Sequence, residues 1–215
     1  MSRTVLLVHG GLWDAMDAEA FWGTTGIVGG LASYRVTVLA PDRPKRPSGW
    51  DAEVAALGEQ FGNLRLPPGE SGLTIVGASN GCTVAARLAM AYPDVVDQLV
   101  LAWPATGGDP VVDERTRTGL IGFGCPLEVV DGLLAGGTLR GVTDADLAGL
   151  ARIPVAVLPS VPENPSHQRK TVDALLRLIQ GSRELAGSPE PPVPGFPPYL
   201  DQLVRTIVEF VNQGD

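Results

Sequence analysis

The sequence predicts an α/β fold in which a predominantly parallel, doubly wound sheet carries helices on both faces and a small helical lid. Three observations predict it. Short apolar runs alternate with segments of helical periodicity up to residue 103, as expected for β-α units whose strands are buried on both faces. The run at 73–76 breaks into a Gly-x-Ser-x-Gly turn at 77–81 that leads straight into an apolar helix. The alternation resumes at residue 153, after a stretch of a different pattern.

The first part of the chain contains two expected β-α units. The run at 5–8 is apolar without alternation and stops abruptly at His9-Gly10-Gly11, as a buried strand followed by a loop would. Gly23 and Gly26 interrupt the apolar helix that follows. From the pattern we expect a helix at 18–32, a strand at 34–39, an amphipathic helix at 50–61 and a turn at 67–69.

The second part of the chain contains the expected lid and the end of the sheet. Residues 98–103 form the next predicted strand, and the lid follows at about 105–152 as short helices opened by Asp109-Pro110, Cys125-Pro126 and the capping box at 143–146. Alternatively, the apolar residues of this segment pack on the sheet as ordinary core. A strand at 153–158 and helices at 172–179 and 199–211 complete one predicted domain, 1–215.

Composition excludes several classes of function. With 215 residues, a net charge of -8 and no basic stripe, the chain suits one soluble α/β domain and does not suit binding to nucleic acid. The apolar run near the N-terminus is too short for a signal peptide or a membrane span, so we expect a cytoplasmic protein that does not bind a membrane. Cys82 and Cys125 suggest neither a disulfide framework nor a zinc site. No cofactor or metal is expected.

The Gly-x-Ser-x-Gly turn is the strongest candidate for catalytic chemistry. Glycines two residues before and after a serine permit a turn so tight that the serine lies on an exposed, strained tip, so Ser79 is the predicted nucleophile. The amide of Asn80 and an amide of the Gly11-Leu12 region are the predicted donors to a developing oxyanion. We expect Trp13 and Trp103 to line the substrate site. Trp13 follows the Gly-Gly loop directly.

With these motifs the chain resembles a minimal member of the α/β-hydrolase superfamily, and the resemblance covers nearly all of it. It rests on the strand that ends at His9-Gly10-Gly11, on the turn at 77–81, and on the strand, loop and helix after residue 158. The resemblance implies a serine nucleophile, an acid and a base histidine, in that chain order. It also implies a fold truncated at the N-terminus, because the chain starts at what would be the family's third strand.

The base histidine is the point at which this sequence departs from the family. The place before the last helix, where the resemblance implies a histidine, holds residues 194–199 and no histidine. His9 lies in the oxyanion loop, where the resemblance implies that it shapes the loop. His167 is therefore the candidate base, with Glu163 as the acid that orients it. Asp109 or Asp113 is the alternative acid. A solvated His167 without a catalytic role is the other possibility.

Two functions of different classes fit these residues. The first is acyl transfer through an acyl-Ser79 intermediate, as an esterase, a thioesterase or an acyltransferase that acts on an apolar or aromatic acyl group. The acyl group is either free or carried as a thioester on an acyl carrier protein. The second is a catalytically degraded scaffold of the same fold that binds a hydrophobic small molecule.

Overall fold

The computed structural model describes residues 3–62 and 72–213, so the turn expected at 67–69 lies outside the described residues. Within these ranges the chain forms a six-stranded sheet in the order β2-β1-β3-β4-β5-β6, in which every neighbouring pair is parallel. The α/β class with a parallel sheet is thereby confirmed. The strands are β1 (Arg3–Val8), β2 (Val36–Leu39), β3 (Leu73–Ala78), β4 (Val96–Ala102), β5 (Val155–Leu158) and β6 (Arg183–Glu184).

The helices lie where the sequence places them, with shorter pieces near the N-terminus. The expected helix at 18–32 is divided at its glycines into a short helical turn, Glu19–Gly23, and α1. None of the helices in the described ranges has the length and apolar character needed to cross a membrane. They are α1 (Ile27–Ala32), α2 (Trp50–Gly62), α3 (Gly81–Ala91), α4 (Pro110–Gly122), α5 (Leu127–Leu134), α6 (Asp144–Gly149), α7 (Arg169–Leu178) and α8 (Leu200–Asn212).

The sheet separates two hydrophobic cores because successive side chains of a strand point to opposite faces. In β1, Leu6 and Val8 belong to the core that also contains residues of α2, α3 and α4–α7. Val5 and Leu7 belong to the core that contains α1 and α8. Both faces of the strand are thus fully covered, which explains the uninterrupted apolar run in the sequence.

The strand order sets the position of the site. The chain runs from β1 outward to β2 on one side and then returns to β3 on the other, so the order reverses between β1 and β3. Ligands of open α/β sheets bind beyond the carboxyl ends of the strands at such a point. His9 follows β1 directly and Ser79 follows β3 directly, so both lie at this edge.

The segment between β4 and β5 packs largely as core. Its apolar residues Leu120, Val130, Leu133, Leu134 and Leu139 are buried in the same core as α3, whereas Ile121 and Phe123 are 45% and 69% exposed. The predicted helix starts are present. The Asp109 side chain accepts hydrogen bonds from two amides at the start of α4, and Thr143 accepts one from Asp146 at the start of α6.

The first glycine of the Gly-x-Ser-x-Gly turn allows the closest packing between strand and helix. A Cβ at Gly77 would lie 2.6 Å from Ala85 Cβ and 2.6 Å from the Gly81 carbonyl oxygen, whereas a Cβ at the exposed Gly119 of α4 would meet nothing within 4 Å.

We therefore expect Gly77→Ala to lower the free energy of unfolding by about 2–3 kcal/mol through overpacking. Gly119→Ala should raise it by roughly 0.5–1 kcal/mol, because alanine loses less conformational entropy in a helix. Denaturant unfolding of both variants measures the difference. Equal stabilities would contradict the packing described for β3 and α3.

Candidate active site

Ser79 lies at the tip of the turn between β3 and α3. Its φ of +53° is in the left-handed region, where a residue with a side chain is strained. The turn is held because the Ser79 amide donates to the Ala102 carbonyl at 3.0 Å. It also lies against the end of β1, since a Cβ at Gly81 would be 2.5 Å from the carbonyl oxygens of both Val8 and His9. The second glycine of the turn is therefore required for this close approach.

His167 contacts Ser79. Its Nε2 lies 2.9 Å from Ser79 Oγ, and both side chains are nearly buried, at 8% and 7% exposure. The histidine lies just outside α7. It precedes Gln168, the N-cap residue of that helix. A tight turn holds it instead, in which the Asn164 Oδ1 accepts hydrogen bonds from the amides of Ser166 and His167.

Two groups face the other ring nitrogen of His167. Glu190 Oε2 and Asn164 Nδ2 each lie 3.2 Å from Nδ1. Since Asn164 Oδ1 is occupied by backbone amides, its Nδ2 can only donate. An ionised Glu190 therefore favours a proton on Nδ1 and leaves Nε2 free to accept from Ser79. With Glu190 uncharged, Asn164 can donate to Nδ1 and the proton moves to Nε2.

Glu190 is the candidate site residue that sequence reasoning missed. It lies after β6, the two-residue edge strand that the sequence pattern also failed to predict. The preceding backbone is fixed by the Ser188 carbonyl, which accepts from the amide of Val161 at 3.0 Å and from the indole of Trp103 at 2.9 Å. The available signal was positional. Glu190 lies near the place where the family resemblance implies the histidine, in a proline-rich segment without other charges.

Burial moves the two titratable groups in opposite directions. Loss of solvation, with the positive charge of Arg140 as the second cause, lowers the pKa of His167 to about 4. Loss of solvation also raises the pKa of Glu190 to about 8, although a hydrogen bond with the Ser79 side chain partly opposes this shift. Each group is therefore biased toward its uncharged form. Shifts of this size in a cleft mark a candidate functional site.

The carboxylates expected to orient His167 lie elsewhere. Glu163 is exposed and accepts from the Arg169 amide at 2.7 Å. Asp109 caps α4 and pairs with Lys170, and Asp113 pairs with Arg140 at 2.9 Å. In the described structure none of the three contacts His167. All three instead stabilise helix starts or ion pairs.

Arg140 connects the segment between β4 and β5 to the turn that carries Ser79. It is 3% exposed and donates to the Asn80 side chain at 2.9 Å, and Asp113 balances its charge. The Arg140 carbonyl accepts from the Thr83 hydroxyl at 2.8 Å, which adds a second contact to α3. The segment is therefore tied by polar contacts to the residue next to Ser79.

The loop after β1 lies directly against Ser79. A Cβ at Gly10 would be 3.1 Å from Ser79 Cβ, which is tighter than an ordinary contact, so a larger residue would have to displace its neighbour. The His9 ring is fixed, because its Nδ1 faces the Gly10 carbonyl at 2.8 Å and its Nε2 accepts from the Arg43 amide at 3.0 Å. Burial and the charge of Arg43 lower the pKa of His9, so its ring is neutral and shapes the loop.

The aromatic and apolar residues expected to line the site are nearly or fully buried. Trp103 is fully buried in the core with α1 and α8, with its ring 6.4 Å from that of Trp22. Trp13 is 8% exposed and lies under the Arg46 guanidinium, and Leu12 is 9% exposed. None of these side chains presents a broad apolar surface to solvent.

The described residues contain no group of three His, Cys, Asp or Glu side chains placed to hold a metal ion. Both Cys82 and Cys125 are buried free thiols.

Comparison with known proteins shows what the fold is. No family model and no curated protein sequence matches the chain. Solved structures match over nearly its whole length. A meta-cleavage product hydrolase from Pseudomonas fluorescens IP01 is 20% identical at a TM-score of 0.71, covering 100% of this chain and 92% of that one. A putative non-heme bromoperoxidase from Mycobacterium tuberculosis H37Rv is 13% identical at a TM-score of 0.72, covering 100% of this chain and 94% of that one. A lipase-esterase related protein from Clostridium acetobutylicum is 14% identical at a TM-score of 0.63, covering 99% of this chain and 94% of that one. The chain has the α/β-hydrolase fold.

Proposed function

We propose that the protein is a serine-nucleophile acyl-transfer enzyme, an esterase, thioesterase or acyltransferase, whose triad is Ser79, His167 and Glu190. The observation that carries the proposal is the continuous contact from Ser79 Oγ to His167 Nε2 at 2.9 Å and from His167 Nδ1 to Glu190 Oε2 at 3.2 Å. A nucleophile in contact with a base that a third group orients is the arrangement common to serine triads.

Each residue has a distinct role in the reaction. Ser79 Oγ attacks the acyl carbonyl carbon while its proton passes to His167 Nε2, and the carbonyl oxygen becomes an oxyanion. The leaving group departs with that proton, which produces acyl-Ser79. Water, an alcohol, an amine or a thiol then attacks the acyl group by the same route in reverse. Glu190 holds the Nδ1 proton and stabilises the imidazolium that forms.

The amides of Asn80 and of the Gly11-Leu12 region are the proposed oxyanion donors. In the described structure none of them makes a backbone hydrogen bond outside a helix or strand. Asn80 precedes α3, whose N-terminus carries partial positive charge. The loop after β1 packs against Ser79 Cβ at Gly10. Both donors therefore lie on the two backbone segments that border the nucleophile.

The base and the acid occupy exchanged places relative to the resemblance. The loop after β5, where the family carries its acid, supplies His167, and the segment after β6 supplies Glu190. Because β5 and β6 are neighbours in the sheet, the segments that follow them reach the same edge. The histidine and the carboxylate can therefore meet whichever of the two segments supplies each. The chain order becomes Ser, His, Glu.

For the substrate we propose an apolar or aromatic acyl group, free or bound as a thioester to a carrier protein. What supports this substrate class is that Ser79 and His167 are nearly buried, so an acyl group that reaches them leaves bulk water. A panel of p-nitrophenyl esters and acyl thioesters of increasing chain length tests it. Each buried methylene should favour binding by about 0.8 kcal/mol.

The triad predicts a specific pattern among variants. A fluorophosphonate should add to Ser79 in the native protein and not in Ser79→Ala, as seen by the mass of the labelled peptide. His167→Ala should slow acylation roughly 100-fold or more. Ester hydrolysis by the Ser79→Ala/His167→Ala double variant should be no slower than by Ser79→Ala alone, because the residues act as one unit.

Glu190→Gln should also slow acylation by roughly 100-fold, because a glutamine amide donates to Nδ1 and favours the unproductive tautomer. Glu163→Gln is the matched control and should react at the native rate. Equal rates for the two glutamine variants would contradict the assignment of the acid. No adduct at millimolar reagent would favour the scaffold that only binds a hydrophobic molecule.

The pH dependence follows from the two shifted groups. Acylation needs Glu190 ionised and His167 neutral. Because the pKa of Glu190 is raised to about 8, this combination becomes populated only as the pH rises to about that value. Single-turnover acylation should therefore rise with pH through about 8. In Glu190→Gln the midpoint of this rise should shift down toward about pH 4, the lowered pKa of His167, and the maximal acylation rate should be much lower. A native limb at pH 4–5, the range of an ordinary carboxyl, would count against Glu190.

A further inference from the structure

Arg43 lies beside the loop after β1 and binds three successive carbonyl groups. Its side chain is 6% exposed. The carbonyl oxygens of His9, Gly10 and Gly11 lie 3.0, 3.1 and 2.8 Å from one terminal nitrogen, whose two N–H groups donate to them with one shared between two carbonyls. A charged donor makes such hydrogen bonds stronger than those between neutral groups. Three peptide units are thus oriented toward one guanidinium.

Glu53 holds the opposite side of that guanidinium. Its Oε2 accepts from Arg43 Nε at 2.8 Å and lies 2.8 Å from the second terminal nitrogen. Glu53 is 1% exposed, and burial raises its pKa while the neighbouring Arg43 lowers it. Glu53 belongs to α2 and Arg43 follows β2, so the pair also connects two elements to the loop.

The direction of the carbonyls fixes the direction of the amides. In a trans peptide unit the C=O and the N–H point in opposite directions. The Gly10 carbonyl shares a peptide unit with the Gly11 amide, and the Gly11 carbonyl shares one with the Leu12 amide. Because both carbonyls face Arg43, both amides point away from it.

Neither Gly10 nor Gly11 can hold these peptide units by itself. Glycine has no Cβ and populates many backbone conformations, so a peptide plane between two glycines rotates at little cost. Both positions are nevertheless unfavourable for a larger residue. A Cβ at Gly10 would crowd Ser79, and Gly11 has a φ of +82° with Met16 Cβ 2.8 Å from its own added Cβ. The orientation must therefore come from an external contact.

We propose that Arg43 is a positioning residue that keeps the Gly11 and Leu12 amides directed at the oxyanion. The proposal rests on the acyl-transfer function proposed above and adds to it a residue remote from the reacting atoms. A transition-state role and a purely structural role differ in what they change. The first lowers kcat and the affinity for an oxyanion at Ser79, while the second lowers stability alone.

The test compares Arg43→Met, Arg43→Lys and Glu53→Gln, with Arg205→Met on the exposed face of α8 as the matched control. The probes are p-nitrophenyl butyrate and an aryl trifluoromethyl ketone, which forms a hemiketal oxyanion with an active serine. Arg43→Met should lower kcat about 100-fold, as the loss of one oxyanion donor does, with KM within about two-fold. The inhibition constant of the ketone should rise by a similar factor.

The lysine variant should recover part of both losses, because an ammonium can donate to the same carbonyls. Arg205→Met should match the native enzyme. If Arg43→Met does not fold, Glu53→Gln decides, with an expected fall in kcat of about 5-fold and the same rise in the inhibition constant.

A folded Arg43→Met or Glu53→Gln with native kcat and native ketone affinity would overturn the proposal, as would a change in KM alone. These results leave the native acylation of Ser79 intact and so do not touch the proposed function. If the native protein itself does not acylate Ser79, the proposed function fails, and the positioning role fails with it.

Discussion

The structure of the site depends on the close approach of the β3–α3 turn to the end of β1. Gly81 lies against the carbonyls of Val8 and His9 at a distance that excludes any side chain, and Gly10 lies tightly against Ser79 Cβ. This contact forces the left-handed conformation of Ser79 and places its hydroxyl at the carboxyl edge of the sheet. It also brings the loop after β1 beside the nucleophile. The rest of the candidate site consists of groups that reach this one point from neighbouring strands.

The groups of the proposed triad are brought together by the geometry of the fold and not by their order in the chain. His167 and Glu190 follow adjacent strands, and each segment is fixed by its own hydrogen bonds, one through Asn164 and the other through the Ser188 carbonyl. Burial lowers the pKa of His167 and raises the pKa of Glu190, so both side chains favour the uncharged form. The charge of Arg140, balanced by Asp113, adds to this effect. The ionisation of Glu190 then determines which tautomer His167 adopts.

The sequence predicted the fold because its signals are local and strong. The apolar runs, the glycines around Ser79 and the caps of α4 and α6 depend on neighbours in the chain, and the strands and helices follow them. The placement of His167 near Ser79 followed from strand order alone. Glu190 did not, since a two-residue strand has no pattern and the contact joins segments distant in sequence. The burial of Trp103 could not be predicted from the sequence either, because a tryptophan that follows a strand can face either side of the sheet.

In the proposed triad Glu190 holds the proton of His167 on Nδ1. The most direct measurement is the ¹⁵N and low-field ¹H NMR spectrum of the imidazoles at a pH above the raised pKa of Glu190, about 8. The chain has only two histidines, and His9, whose Nδ1 faces the Gly10 carbonyl, serves as the internal reference. If Glu190 holds this proton, the native protein has an Nδ1–H resonance for His167 that is lost in Glu190→Gln and retained in Glu163→Gln. An Nε2–H tautomer in the native protein, or a spectrum unchanged in Glu190→Gln, would contradict it.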